Sequence, residues 1–204
     1  HRLPAAAPAS ARAVLLHVPA PAATKARHVT AHPGGTPKPA TSNVNIVPGR
    51  TQANLVLVGI GADRTVTLDV HAGPMHLLAD LVGYQLGDRP AVSPQRVLDS
   101  RIGLGTSPYA KQGPVQLRLP DSVPADAAVV WLNVTVTGAS APGHVTAYAA
   151  GAPKPATSNV NVKTGQTQAN LVAVPVGANR SVVLDVHGGG MHLIADLVGW
   201  QPAR

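Results

Sequence analysis

The chain has 204 residues, 45% of them hydrophobic, with 20 Gly, 20 Pro, no cysteine and no glutamate; this composition favours strands and turns, and it excludes disulfides, thiol catalysis and thiolate metal sites. The formal net charge of +7 suits encounter with anionic surfaces, but the basic residues are scattered and aromatics are few, which argues against a nucleic-acid-binding protein. No apolar stretch approaches the roughly 18 residues of a membrane helix, so no membrane insertion is expected.

Short apolar stretches bounded by Gly, Pro or Asn clusters predict the strands of the second half. In chain order these stretches are residues 129–136, 144–148, 159–162, 169–176, 181–187 and 192–200. The first half contains the same stretches 116 positions earlier. Strands at this spacing predict an all-β protein of two β-sandwich-like or barrel-like domains.

The two halves are related in sequence as well as in pattern. About 35 of the 50 residue pairs between 36–85 and 152–201 are identical. Identity this high exceeds what a shared fold requires and indicates an internal tandem duplication. The expected domains are a first repeat at 1–88, a junction at 89–116 and a second repeat at 117–204.

Alternation is clearest in the fifth stretch of each copy. Val182, Leu184 and Val186 alternate with Val183, Asp185 and His187, and copy one repeats this pattern at 66–71. The first set, with its counterparts Val66, Leu68 and Val70, is predicted to face a core.

Glycine-containing loops follow these strands. Those at Gly73 and Gly189 are predicted to close hairpins onto residues 75–84 and 191–200. The nearly continuous apolar character of both return strands predicts burial on two faces.

The junction contains an apolar motif that is unsuited to a free linker. Residues 97–105 read VLDSRIGLG, and we expect them to form a strand of the second domain. Together with 128–136 (AVVWLNVTV), 167–172 (TQANLV) and 192–200 (HLIADLVGW), this motif resembles a repeat of secreted actinobacterial proteins. That family typically runs from V-L-D-T-R-x-G-x-G through L-N-V-T-V and G-x-T-x-A-N-L-V to H-V-I-A-D-V-x-G-Y-F. The resemblance covers 97–201 and, without the opening motif, all of copy one.

The resemblance implies a non-catalytic β module of the kind appended to extracellular hydrolases, including wall amidases and proteases. It implies a secreted, extracellular protein that can associate with the cell wall, and it brings no catalytic residue with it. Because copy one lacks the opening motif, we expect either an upstream strand or shared use of the strand around Val97. The family motif ends in two aromatic residues, Y-F, whereas this chain keeps only one in each copy, in Tyr84-Gln85 and Trp200-Gln201.

Aspartate and histidine recur around the predicted hairpins. If His71 pairs with His76, carboxylates on the same face could complete a divalent metal site. In the alternative interpretation, the aspartates satisfy backbone donors and the histidines are ordinary hairpin residues. The resembled family keeps the His and Asp of the last strand but usually has other polar residues at 69 and 71. The candidate metal ligands are Asp69, His71, His76 and Asp80, repeated as Asp185, His187, His192 and Asp196.

The repeated K-P-A-T-S-N-V-N segment, at 38–45 and 154–161, predicts a polar loop in each copy. Its hydroxyl and amide groups could bind a sugar or a peptide. Alternatively, they fold back onto turn amides while Pro fixes the approach of the chain. The candidate ligand-binding residues are Thr41, Ser42, Asn43, Thr157, Ser158 and Asn159, together with His71 and His187.

No nucleophile elbow, phosphate-binding loop, zinc-protease helix or dinucleotide turn occurs, so neither an enzyme nor a cofactor is expected. The favoured function is a secreted attachment module that recognises a wall or surface glycan, or an anionic wall polymer, at two related sites. The alternatives are a structural spacer or protein-protein assembly module and a metal-dependent hydrolase. The sequence does not define the oligomeric state.

Overall fold

The computed structural model describes residues 7–21, 23–86 and 94–203, and it divides the chain into unit 1, His1–Gln95, and unit 2, Arg96–Arg204. The all-β prediction is confirmed: the described residues form strands and a single 3-10 turn, Ala178–Arg180, with no α-helix. No helix in these ranges has the length and apolar character needed to span a bilayer.

Unit 1 consists of two small antiparallel sheets. One has the order β4-β1-β6 and the other the order β3-β2-β5. A cluster of buried apolar residues, including Val14, Val29 and Val56, forms its core. The strands are β1 (Ala11–Ala20), β2 (Arg27–Pro33), β3 (Val44–Ile46), β4 (Gln52–Gly59), β5 (Val66–His71) and β6 (Asp80–Leu86).

Unit 2 contains one larger sheet. Its main path runs β11-β10-β13-β9-β12, and the end strands β11 and β12 lie against each other, so the path is a nearly closed barrel. The two remaining strands, β7 and β8, both pair with β13. The strands are β7 (Gln95–Asp99), β8 (Lys111–Arg118), β9 (Ala127–Thr137), β10 (Gly143–Ala149), β11 (Val160–Val162), β12 (Gln168–Pro175) and β13 (Ser181–Pro202).

The prediction that Val182, Leu184 and Val186 face the core is confirmed in unit 2. Of the alternate residues, only His187 is exposed, because Val183 and Asp185 are buried as well. In unit 1, Val66 is buried, while Leu68 and Val70 pack partly buried against the core. The apolar stripe of each strand therefore faces inward.

The predicted hairpins at Gly73 and Gly189 are wrong. In unit 2, β13 continues without a turn: its first part pairs with β8 and β10, and its second part pairs with β9. Because these neighbours already occupy its edges, residues 191–200 cannot fold back onto 181–187. Gly188 has a φ of +97°, and a Cβ there would lie 2.5 Å from the carbonyl oxygen of Pro142, so this close approach requires glycine.

In unit 1 the corresponding strands β5 and β6 lie in different sheets and do not pair. The predicted burial of the return strand on both faces is confirmed in unit 2, where residues 191–199 are almost continuously buried, and is wrong in unit 1. There, Val82 and Tyr84 are 59% and 49% exposed. Residues 74–79 are not part of any strand.

Candidate functional site

Two histidines face each other across neighbouring strands in each unit. His144 of β10 lies directly opposite His187 of β13, and their ring centroids are 5.0 Å apart. In unit 1, His28 of β2 lies opposite His71 of β5, with centroids 4.5 Å apart and the rings stacked. Directly opposed residues share one face of a sheet, so each pair presents two imidazoles side by side.

A lysine–aspartate pair lies beside each pair of histidines. Asp185 precedes His187 by two residues and therefore points to the same face; its Oδ1 lies 3.2 Å from Nζ of Lys154. In unit 1 the Nζ of Lys38 donates to Oδ1 of Asp69 at 2.8 Å. This hydrogen bond is the main reason that the pKa of Asp69 lies below its ordinary value.

The polar loop of unit 2 is held by three hydrogen bonds, two from β10 and one from β12. The hydroxyl of Thr146 donates to the carbonyl of Thr157 at 2.6 Å. The amide N–H of Ala147 donates to Oδ1 of Asn159, and Nδ2 of Asn170 donates to the carbonyl of Asn159, both at 2.7 Å. The Asn159 side chain thus serves the backbone, whereas Thr157 and Ser158 are exposed.

Unit 1 repeats these three hydrogen bonds with the corresponding residues. Thr30 donates to the carbonyl of Thr41, Ala31 donates to Asn43, and Asn54 donates to the carbonyl of Asn43, each at 2.7 Å. The loop is less accessible here, since Thr41 and Asn43 are buried and Ser42 is half-buried.

A pocket of about 360 Å³ lies between the histidine pair and the loop of unit 2. Its polar lining can donate several hydrogen bonds: two imidazoles, an ammonium with three N–H groups and hydroxyl groups. The lining residues are His144, Thr146, Lys154, Pro155, Ala156, Thr157, Ser158 and His187.

The structure does not assemble the eight predicted metal ligands as the sequence suggested. His71 is opposite His28 rather than His76, and Asp80 lies 3.6 Å from Nδ1 of His17. Asp69 is paired with Lys38. Among the described residues, no group of three His or Asp side chains is arranged to hold a metal ion.

In unit 2 the last two candidates, His192 and Asp196, take part in a buried polar cluster with the end of β7. Nε of Arg96 donates to Oδ1 of Asp196 at 2.9 Å, and Nη1 of Arg96 donates to Oδ2 of Asp99 at 3.4 Å. Burial raises the pKa of Asp196, whereas the hydrogen bond from Arg101 lowers the pKa of Asp99. The cluster joins β7 to β13.

Ser100 and His192 form a close hydroxyl–imidazole pair, with Oγ 3.1 Å from Nδ1. Ser100 is fully buried, and its Oγ also accepts the amide N–H of Leu193 at 2.9 Å. A hydroxyl that is closed off and engaged in this way supports the backbone and is not placed to attack a substrate.

Sequence reasoning missed three members of the candidate site, namely His144, Lys154 and Thr146. A signal for them was present, because each has an identical counterpart 116 positions earlier, at His28, Lys38 and Thr30. What the sequence did not reveal is that β10, rather than the return strand, lies opposite His187.

Comparisons with family models, with curated proteins and with solved structures found no match to this chain.

Proposed function

We propose that this chain is a non-catalytic attachment module that binds a cell-wall or cell-surface glycan at two related sites. The observation that carries the proposal is the arrangement common to both units: a cross-strand histidine pair, a lysine–aspartate pair and a polar loop held by matching hydrogen bonds. In unit 2 this arrangement surrounds the pocket.

The chemistry of the pocket suits a ligand rich in hydroxyl and carboxylate oxygens. Lys154 forms an ion pair with Asp185, and its ammonium can also donate to a ligand. The imidazoles add flat surfaces and further donors, and the exposed hydroxyls of Thr157 and Ser158 can both donate and accept. Such convergent polar groups fix the orientation of a ligand.

The sequence resemblance and the formal charge of +7 support a secreted protein that meets an anionic wall. We further propose that the two units arose by duplication and that their sites act together. Two linked sites that engage one polymer retain it more strongly than either site does separately.

Retention on purified cell-wall glycan tests this function. We compare the protein with a Lys38→Ala/Lys154→Ala double variant, which removes the ammonium of both sites. The matched control is Lys25→Ala/Lys163→Ala, which removes the same charge from exposed lysines outside the sites. We expect the site variant to lose at least about tenfold in affinity, while the control changes little.

Two results would count against the proposal. If the unaltered protein is not retained at low salt, the glycan ligand is wrong. If the two double variants lose the same affinity, attraction is due to overall charge, and the histidine–lysine sites are not responsible.

A further inference from the structure

In unit 2, the edge of β13 around residues 193–196 is occupied by the end of β7. The amide N–H of Ser100 donates to the carbonyl of Leu193 at 2.9 Å, and the Leu193 N–H donates to Oγ of Ser100 at 2.9 Å. Arg96 donates to the Asp196 carboxylate at 2.9 Å. Leu98, between these contacts, is fully buried in the core of the unit.

Unit 1 contains residues that correspond to those of β13 that contact β7. Residues 75–80 read MHLLAD and residues 191–196 read MHLIAD, so Leu77 and Asp80 correspond to Leu193 and Asp196. The Asp196 side chain is 1% exposed, whereas that of Asp80 is 67% exposed. Within the part of the chain that the structure describes, β6 pairs only with β1, so its other edge is open.

The core of unit 1 is also less completely covered than that of unit 2. Five apolar side chains that are fully or almost fully buried in unit 2 have counterparts in unit 1 that are only partly buried. The unit 1 residues are Leu68, Val70, Met75, Leu77 and Leu81, and their counterparts are Leu184, Val186, Met191, Leu193 and Leu197.

An open strand edge beside accessible apolar surface can pair with another extended chain. On the outer face of β6, Val82 and Leu86 are 59% and 55% exposed, and Leu78 just before the strand is 50% exposed. Backbone hydrogen bonds along such an edge supply affinity, and side-chain pockets supply specificity.

We propose that the edge of β6, together with residues 74–79, accepts an added strand with the chemistry of β7. The occupant is an extended polypeptide with the pattern Arg-x-Leu-x-Ser, as in residues 96–100. Its arginine pairs with Asp80, its leucine covers Leu77 and Leu81, and its serine bonds to the backbone of Leu77. On docking, residues 74–79 become a strand.

The occupant is a separate segment rather than β7 of a second copy. In unit 2 that strand is held by its ion pair with the almost fully buried Asp196 and by Leu98 in the core. A second copy would have to break these contacts, and leaving a buried carboxylate without its partner is costly. The proposed acceptor is also distinct from the glycan site of unit 1, whose histidines lie on β2 and β5.

A synthetic peptide with the sequence of residues 95–105, QRVLDSRIGLG, tests the acceptor in the full chain. We expect one peptide to bind and amide exchange to slow at residues 76–86, because edge N–H groups become paired. Asp80→Asn should weaken peptide binding about tenfold. Asp126→Asn, which removes an exposed carboxylate in unit 2, is the matched control and should leave binding unchanged.

A peptide in which alanine replaces the first arginine probes the same ion pair without altering the protein. It should also bind about tenfold more weakly. The proposal is overturned if no peptide binds at millimolar concentration or if neither change weakens binding. Protection confined to residues 181–202 would overturn it by showing that the peptide exchanges with β7. Protection of 76–86 by concentration-dependent self-association, without peptide, would show that the occupant is a second copy.

Discussion

Residues 75–80 and 191–196 differ at one position of six, yet they have different structures. In unit 2 the segment is part of β13 and is almost entirely buried. In unit 1 only its last residue, Asp80, begins a strand, and the side chains around it are largely accessible. The six residues therefore do not by themselves determine whether the segment forms a strand, and its surroundings must contribute.

The neighbours of each segment explain the difference. β9 pairs with residues 192–202 in the register that β1 has with β6: Asn133 lies opposite Asp196, and His17 lies opposite Asp80. This flank is therefore equivalent for residues 80–86, although residues 76–79 do not pair with β1 as 192–195 pair with β9. The other flank has β7 in unit 2 and no strand in the described part of unit 1.

The largest effect is expected from Arg96→Ala in unit 2. It leaves Asp196 almost fully buried without its cation, and we expect the free energy of unfolding of unit 2 to fall by about 3 kcal/mol. Tryptophan fluorescence during chemical denaturation measures this, because both tryptophans, Trp131 and Trp200, lie in unit 2. Arg118→Ala, at an exposed position of β8, is the control.

This variant also tests whether β7 orders the return strand. Amide exchange at residues 191–196 should rise toward the rate seen at 75–80. If unit 2 loses less than about 1 kcal/mol and these amides stay protected, the ion pair does not cause the difference between the units.

Ser100→Ala is expected to have a smaller effect on the same junction. It removes the oxygen that accepts the Leu193 N–H while β7 and its salt bridges remain. A buried donor without an acceptor costs about 1 to 2 kcal/mol, which the same denaturation experiment detects. Ser140→Ala, at an exposed position, should stay within about 0.5 kcal/mol of the unaltered protein. Equal losses in the two variants would argue against a role for the Ser100 hydroxyl.

Most strands were predicted correctly because their apolar pattern is set by residues that are neighbours in the sequence. The stretch predicted at 169–176 became β12, Gln168–Pro175, and that at 129–136 became β9, Ala127–Thr137. The predicted hairpins failed because a glycine cluster reads as a turn, whereas Gly188 lies inside a continuous strand. Whether this segment turns or continues as one strand depends on flanking strands that are distant in sequence. Their pairing cannot be recognised from the residues of the segment itself.

The candidate site was predictable to a similar degree. The polar loop and His187 were identified from the repeat, and the structure places them around one pocket. His144 was not, because it is joined to His187 by strand pairing across more than 40 residues. The metal hypothesis depended on pairing His71 with His76, but His71 pairs with His28 and His76 is not part of any strand.

The smallest effect concerns His28 in unit 1 and its response to pH. Burial chiefly, and then the positive charges of His71 and Lys38, lower the pKa of His28, while Asp69 opposes them. Below about pH 6.5, the ordinary histidine value, the unfolded chain binds a proton that folded His28 resists. The stability of unit 1 should therefore fall as the pH is lowered through this range toward the folded pKa, and it should recover as the pH rises.

His28→Gln removes the titrating group and should flatten this part of the pH dependence. Methyl NMR during denaturation separates the units, with Val56 reporting on unit 1 and Val134 on unit 2, since both are buried in their cores. If the pH dependence of the Val56 signal is unchanged in His28→Gln, protonation of His28 is not its cause. If it is lost, the acid sensitivity of unit 1 in this range is due to His28, which is partly buried and lies against His71 and near Lys38.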